Sequence, residues 1–217
     1  MKKRIGIFGG TFNPIHLGHV KACLEVQKVF ALDTILFIPS YIPPHKGSSD
    51  IAAPSHRMKM VELAVADYPQ FIPSSIEIEA KGKSYSILTL SKLRARYPRA
   101  WIFFILGVDA FIEIDSWRDY RKVLEQCHFI VISRPGYHIK DAENILGGKY
   151  KKWILRLSAQ EEINEEMIIR YKIFLLPISA LNVASHEVRK RIKNKESISR
   201  RVAEPVEAYI IKNKLYQ

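Results

Sequence analysis

Two histidines three residues apart, His16 and His19, follow a glycine pair, Gly9-Gly10, across the short loop Thr11-Phe12-Asn13-Pro14-Ile15. The apolar run Ile5-Gly6-Ile7-Phe8 leads into the glycines, and a helical pattern opens at Leu17. Adjacent glycines at the carboxyl end of a strand let the backbone turn tightly and leave amides uncovered, so a phosphate can approach. At the mouth of a helix both imidazoles can face the same anion, helped by the positive helix end. The order of residues is neither G-x-G-x-x-G nor G-x-x-x-x-G-K-[ST], which sets aside the dinucleotide fingerprint and the P-loop. A buried, satisfied histidine pair is the alternative, and so is a zinc site on the H-x-x-H spacing. Zinc is disfavoured because no Cys or acidic ligand stands at suitable spacing, and no metal ligand is assigned.

Other residues of chemical interest also fall in loops or at helix starts. In Pro43-Pro44-His45-Lys46 the two prolines stiffen the loop, so that Lys46 becomes a fixed point charge. Read alone, Ser84 or Ser86 is a helix N-cap, Asp109 caps the next helix, and Trp117 is a core residue of an amphipathic helix. No Asp or Glu lies inside the first turn.

The elements that must position these groups follow from periodicity. Strands are predicted over 4–8, 34–38, 75–79, 101–106, 129–133 and 171–176, the fourth being the most continuous apolar run. Helices are predicted over 17–31, from Pro54 to about 67 with Ser55 as N-cap, from Ser84 or Ser86 to about 97, as a short one after Gly107-Val108-Asp109, and over 117–127, 185–194 and 202–213. Residues 39–54 read as loop, and the charged stretch 136–167 as one or two surface helices. Such alternation predicts an α/β, doubly wound parallel sheet with ligands at the carboxyl ends of its strands, where the motifs fall. The 217 residues are expected to form a single domain, with an α/β core over 1–180 and a C-terminal helical part over 181–217.

Composition bounds the partners. The formal net charge of +12 suits nucleic acid, an anionic membrane surface or phosphorylated small substrates, and part of it is a solvated face. The densest basic cluster is Arg189-Lys190-Arg191 with Lys193 and Lys195. No apolar run approaches the roughly 20 residues of a membrane span. Met1-Lys2-Lys3-Arg4 imitates the start of a signal peptide, but the apolar stretch after it stops at Gly9-Gly10, so a cytoplasmic location is expected. The two cysteines, Cys23 and Cys127, read as reduced thiols.

The string Gly-Gly-Thr-Phe-Asn-Pro-Ile-His-x-Gly-His resembles the T/H-x-G-H signature of the nucleotidyltransferase superfamily, and within it the nicotinate mononucleotide adenylyltransferases, where Asp more often stands at Asn13. The resemblance implies a Rossmann-like fold and transfer of the adenylyl group of ATP to nicotinate mononucleotide, in NAD biosynthesis. Nicotinamide mononucleotide and phosphopantetheine are the rival acceptors. It implies catalytic roles for His16, His19, Lys46 and Arg189. ATP would also meet Gly9, Gly10, Thr11, Phe12, His45 and Ser185 about its phosphates, and Gly107, Asp109 and Arg134 about its adenosine. Arg57 would assist. Nicotinate mononucleotide would meet Asn13 and Lys46, with Ser86 and the Ile87 amide on its carboxylate, Trp117 stacked on the pyridine and the Arg118 amide beside it. Mg²⁺ would bridge ATP phosphates and water. No nucleic-acid or membrane partner is expected, and association into oligomers is left open. One segment departs from the pattern: Val183-Ala184-Ser185-His186-Glu187-Val188-Arg189 stands where Ile-Ser-Ser-Thr-x-Ile-Arg is usual, keeping Ser185 and Arg189.

Overall fold

The apolar runs become buried parallel strands in the computed structural model, which describes residues 2–43, 51–134, 136–145, 150–158, 161–179, 181 and 183–217. Strands β1 (Arg4–Gly10), β2 (Thr34–Pro39), β3 (Phe71–Pro73), β4 (Trp101–Gly107), β5 (His128–Ile132), β6 (Ile154–Arg156) and β7 (Ile173–Leu176) form one sheet in the order β3-β2-β1-β4-β5-β7-β6. β4 pairs in parallel with β1 and β5, and β7 with β5 and β6. The winding reverses at β1 and β4. In doubly wound sheets ligands sit beyond the carboxyl ends of the strands at such a reversal. Gly9-Gly10 are the last residues of β1 and Gly107 is the last of β4.

The chain divides into two compact units. One comprises Met1–Phe8, Ala22–Ile35 and Tyr85–Ala180, and the other Gly9–Lys21, Leu36–Ser84 and Leu181–Gln217. In the first unit β5 and β7 are buried along their length and β4 between its two end residues, and their register sets Phe104 opposite Phe129 and Ile130 opposite Phe174. Phe30 packs its ring against Phe103 at 5.5 Å and Phe174 at 5.2 Å, edge to face. The second unit is built on α2 (Pro54–Val65), whose buried stripe is Arg57, Met60, Val61, Ala64 and Val65. Phe37 joins Phe12 to Phe71 in its core. Cys23 and Cys127 are buried and unbridged, and burial pushes both thiols up, Cys127 to about 12. Among the described residues no helix is long and apolar enough to cross a membrane.

Several elements differ from the sequence-based expectation, each for a physical reason. Residues 75–79 alternate Ile and Glu but form a short helix, α3 (Ile76–Ala80), with no buried residue, because β3 ends at Pro73 and the alternation has no core to face. Ser55 does not cap α2; Ala53 is the cap residue and Pro54 opens the helix. Neither Ser84 nor Ser86 caps α4 (Ser86–Arg96), where Tyr85 is the cap residue, and the Ser84 hydroxyl accepts from the Tyr41 amide at 2.9 Å. The short helix expected after Asp109 is present, and the helix expected over 117–127 starts three residues late. α5 (Val108–Ile112) and a 3-10 turn (Ile114–Ser116) come first, Trp117 is extended, and α6 (Tyr120–Gln126) begins only after Asp119 takes a left-handed φ of 54°. The stretch 136–167 supplies α7 (Asp141–Ile145), the start of α8 (Glu165–Arg170) and the unforeseen edge strand β6. α8 is capped by Asn164, which accepts from the Met167 amide at 2.9 Å.

His128 opens β5 and is 2% exposed, with its Nε2 donating to the Ile168 carbonyl at 2.9 Å. Burial, reinforced by the nearby Lys172 and Arg94 charges, lowers its pKa to about 4. The unfolded imidazole titrates near 6.5, so between those values the unfolded chain binds more protons. The neutral ring therefore contributes its full stability above about pH 6.5, and this is lost as pH falls through about 4. The expected loss is roughly 3 kcal/mol at most. Urea midpoints measured at pH 7.5 and pH 4.5 should show a smaller acid loss in His128→Gln than in the unaltered protein; equal losses would discount the buried imidazole.

Candidate functional site

The loop after β1 is built around backbone carbonyls that point away from strand and helix. Phe12 takes a left-handed φ of 49°, a conformation that a non-glycine residue holds only under pressure from its surroundings. The pressure comes from packing and from hydrogen bonds. Phe12 is buried under His19, edge to face at 5.3 Å, and against Phe37. Arg57 donates from Nη1 to the Thr11 carbonyl at 2.9 Å, and Arg189 donates from Nη1 to the Asn13 carbonyl at 2.8 Å. The Ser185 hydroxyl donates to the Pro14 carbonyl at 2.9 Å. The Leu17 amide, at the start of α1 (Leu17–Phe30), donates to the Arg201 carbonyl at 2.8 Å.

That frame fixes the imidazoles. The rings of His16 and His19 stack with centroids 3.6 Å apart. The His16 amide donates to His19 Nδ1 at 3.2 Å, so Nδ1 is an acceptor and Nε2 carries the proton. His16 is 5% exposed and His19 is half-buried, and the first turn of α1 has no acidic residue. Gly18 lets the pair pack, since a Cβ there would lie 3.0 Å from His16 Nδ1 and 3.4 Å from the Leu181 carbonyl. Asn13, 5% exposed, accepts at Oδ1 from the Ala52 amide and the Tyr216 hydroxyl, each at 2.9 Å. The second unit thus brings together Gly9, Gly10, Thr11, Phe12, Asn13, His16, His19, Ser185 and Arg189. Ser185 and Arg189 lie on α9 (Ser185–Lys193), while His186 on the same helix is exposed. His45 and Lys46 fall outside the described residues.

The first unit carries a second constellation. Arg134, just beyond β5, donates from Nη1 to Asp109 Oδ2 at 2.9 Å. Asp109 Oδ1 is buried and has no hydrogen-bond partner among the described residues. Gly107 is the cap residue of α5, and the Asp109 side chain makes no capping bond. A Cβ on Gly107 would lie 2.3 Å from Asp109 Oδ1 and 3.0 Å from Arg134 Cδ and Nε, so a side chain there would push this pair out of its present position. A carboxylate with one oxygen held by a guanidinium and the other unoccupied suits vicinal hydroxyl donors. Nearby along the chain, Trp117 packs edge to face on Phe104 at 5.8 Å, and Arg118 lies over the Tyr85 ring at 4.9 Å. The Arg118–Tyr85 contact ties Trp117 and Arg118 to the start of α4, where Ser86 and Ile87 occupy the first turn.

A family model described as cytidylyltransferase-like matches residues 7–199. A curated protein of Desulfitobacterium hafniense named "Probable nicotinate-nucleotide adenylyltransferase" is 37% identical over 215 residues, which is 99% of this chain and 96% of that protein. A Geobacter metallireducens protein of the same name is 36% identical over 213 residues, 98% of each chain. Among solved structures, the Plasmodium falciparum nicotinic acid mononucleotide adenylyltransferase complexed with NaAD has a TM-score of 0.74 at 20% identity, covering 99% of this chain and 97% of that one. At that identity the likeness concerns the fold.

Arg57 departs from its expected place, and Tyr216 makes a contact that its position in the sequence does not announce. Arg57 was expected to assist at the phosphates, but it is 0% exposed. Its Nε, Nη1 and Nη2 donate to the carbonyls of Ala52, Thr11 and Tyr41 at 2.9, 2.9 and 3.0 Å. The signal was present, because Arg57 lies at i, i+3, i+4, i+7 spacing with Met60, Val61 and Ala64 on the buried stripe. Nothing in the spacing of the last residues marks Tyr216. Replacing Arg57 by Leu leaves three part-buried carbonyls without their donor, and roughly 3–5 kcal/mol should be lost in urea unfolding. A loss below about 1 kcal/mol would show that the three carbonyls find other partners.

Proposed function

The chain belongs to the cytidylyltransferase-like family and matches the nicotinate-nucleotide adenylyltransferases along its whole length, and from that membership we propose that it transfers the adenylyl group of ATP to nicotinate mononucleotide. The products are nicotinate adenine dinucleotide and pyrophosphate, a step of NAD biosynthesis. A cytoplasmic setting goes with this reading, since ATP is an intracellular reactant.

The phosphate of the mononucleotide has its second pKa near about 6, so the nucleophile arrives ionised and no general base is required. Its oxygen forms the new bond to the α-phosphorus of ATP. The bond from that phosphorus to the bridging oxygen breaks, and the electron pair leaves with pyrophosphate. What the protein must supply is alignment and donors for charge that spreads over the phosphoryl oxygens. The observation that carries the reading is the fixed tautomer of His19, whose Nε2–H is a donor on a first turn without carboxylates. His19 donates to the α-phosphate, His16 and the amides about Gly9, Gly10 and Thr11 supplement it, and Arg189 and Ser185 add donors from α9. His45 and Lys46 are assigned to the outer phosphates by their resemblance alone.

Mg²⁺ would be held by ATP itself, since the described part of the loop offers imidazoles and amides in place of acidic ligands, and it would supply neutralisation of phosphate charge. Asp109 takes the ribose hydroxyls on its unoccupied oxygen, and Arg134 borders the adenine. Ser86, the Ile87 amide, Trp117 and the Arg118 amide receive the pyridine carboxylate and ring, Trp117 by stacking on the electron-poor pyridinium.

Pyrophosphate release with ATP should be faster for the acid mononucleotide than for the amide, and a clear preference for the amide would reject the acceptor assignment. His19→Ala should lower kcat by about 10²–10³-fold with little change in melting temperature. Near-normal turnover of that variant would remove His19 from the reaction.

A further inference from the structure

The end of the chain returns to the loop that carries the imidazoles. α10 (Glu204–Lys212) is followed by a turn in which the Lys214 amide bonds back to the Ile211 carbonyl and the Leu215 amide to that of Ile210. Lys214 and Tyr216 take left-handed φ values of 50° and 67°. A non-glycine residue there costs about 1 kcal/mol or more and stays only where its surroundings demand it. For Tyr216 the demand is visible at the other end of the side chain, where its hydroxyl lies 2.9 Å from Asn13 Oδ1.

The direction of that bond is determined. The Ala52 amide also lies 2.9 Å from the same Asn13 atom, and a peptide N–H can only donate. The atom is therefore the amide oxygen, and the Tyr216 hydroxyl is the second donor. Burial pushes the Tyr216 hydroxyl above its ordinary pKa, against the opposing pull of the Arg189 and Arg57 guanidiniums, so it stays protonated near neutrality. Asn13 in turn accepts at its backbone carbonyl from Arg189. One residue thus joins the tail, the segment before α2 and the guanidinium of α9.

Resting on the adenylyltransferase reading, we infer that Tyr216 is a positioning residue for adenylyl transfer, which by donating to Asn13 sets the loop before His16 and, through the Asn13 carbonyl, the Arg189 guanidinium. It does not touch the reacting atoms. Its loss misplaces donors needed most in the transition state, so kcat should fall with KM little changed.

The test compares the full-length chain with Tyr216→Phe, Asn13→Ala and the double variant, measuring kcat, KM for both substrates, melting temperature and peptide-level hydrogen exchange. Tyr216→Phe should keep the fold and both KM values within about twofold, lose about tenfold in kcat, and exchange faster over 11–19. In the Asn13→Ala background the same change should cost no further kcat. Unchanged kcat in Tyr216→Phe, an effect on KM alone, or a full second loss on top of Asn13→Ala would each overturn the inference. An inactive unaltered protein would count against the adenylyltransferase reading instead. In that event exchange over 11–19 decides the positioning role, and unchanged protection in Tyr216→Phe overturns it.

Discussion

The structure depends on satisfying carbonyls that a loop cannot satisfy for itself. Between the end of β1 and the start of α1 the chain abandons the sheet ladder before helical bonding begins. The carbonyls of Thr11, Asn13 and Pro14 are met by Arg57, Arg189 and Ser185. A buried carbonyl left without a donor costs about 1–3 kcal/mol, and these part-buried ones would together forfeit a sizeable share of the net stability of an ordinary domain. The left-handed Phe12 adds strain that local sequence does not relieve. Long-range donors from α2 and α9 therefore decide whether the two imidazoles stand where they do.

Those donors are cationic or neutral, which matches the chemistry. Joining two anions requires the loop to attract phosphate without offering a base that the reaction does not use. Arg189 illustrates the economy of the arrangement, since one guanidinium N–H holds the Asn13 carbonyl while the group keeps its full positive charge beside the loop. The acidic residue of the first unit's constellation is Asp109, and Arg134 neutralises it through one oxygen. Gly107 leaves room for that pair, because a side chain at this position would displace the carboxylate from where it stands.

The elements that could be read from the sequence were those whose signal is local. β1, β2, β4, β5 and β7 appear close to where continuous apolar runs placed them, because strands buried on both faces need such runs. The first-turn motif was equally legible, since glycine, proline and histidine restrict the backbone or the chemistry within a few residues. The misreadings share a cause. Ile76 and Ile78 alternate with Glu77 and Glu79 as in a strand, yet α3 buries none of its residues. Periodicity reports a pattern and not whether a core exists to receive it. Trp117 carries helical spacing but is held extended by the left-handed turn at Asp119, and β6 is a three-residue edge strand too short to carry a periodic signal.

By itself the sequence determined the sheet's central strands, the family and the residue types available for phosphate chemistry, because each is written in contiguous or closely spaced residues. Tertiary structure decided what the polar side chains do with their hydrogen bonds. Arg57 proves to be a buried brace on three carbonyls, His19 has its proton on Nε2, and Tyr216 reaches across 203 positions to Asn13. A hydrogen-bond donor has a fixed identity but no fixed partner until distant segments are packed together, and that packing is non-local.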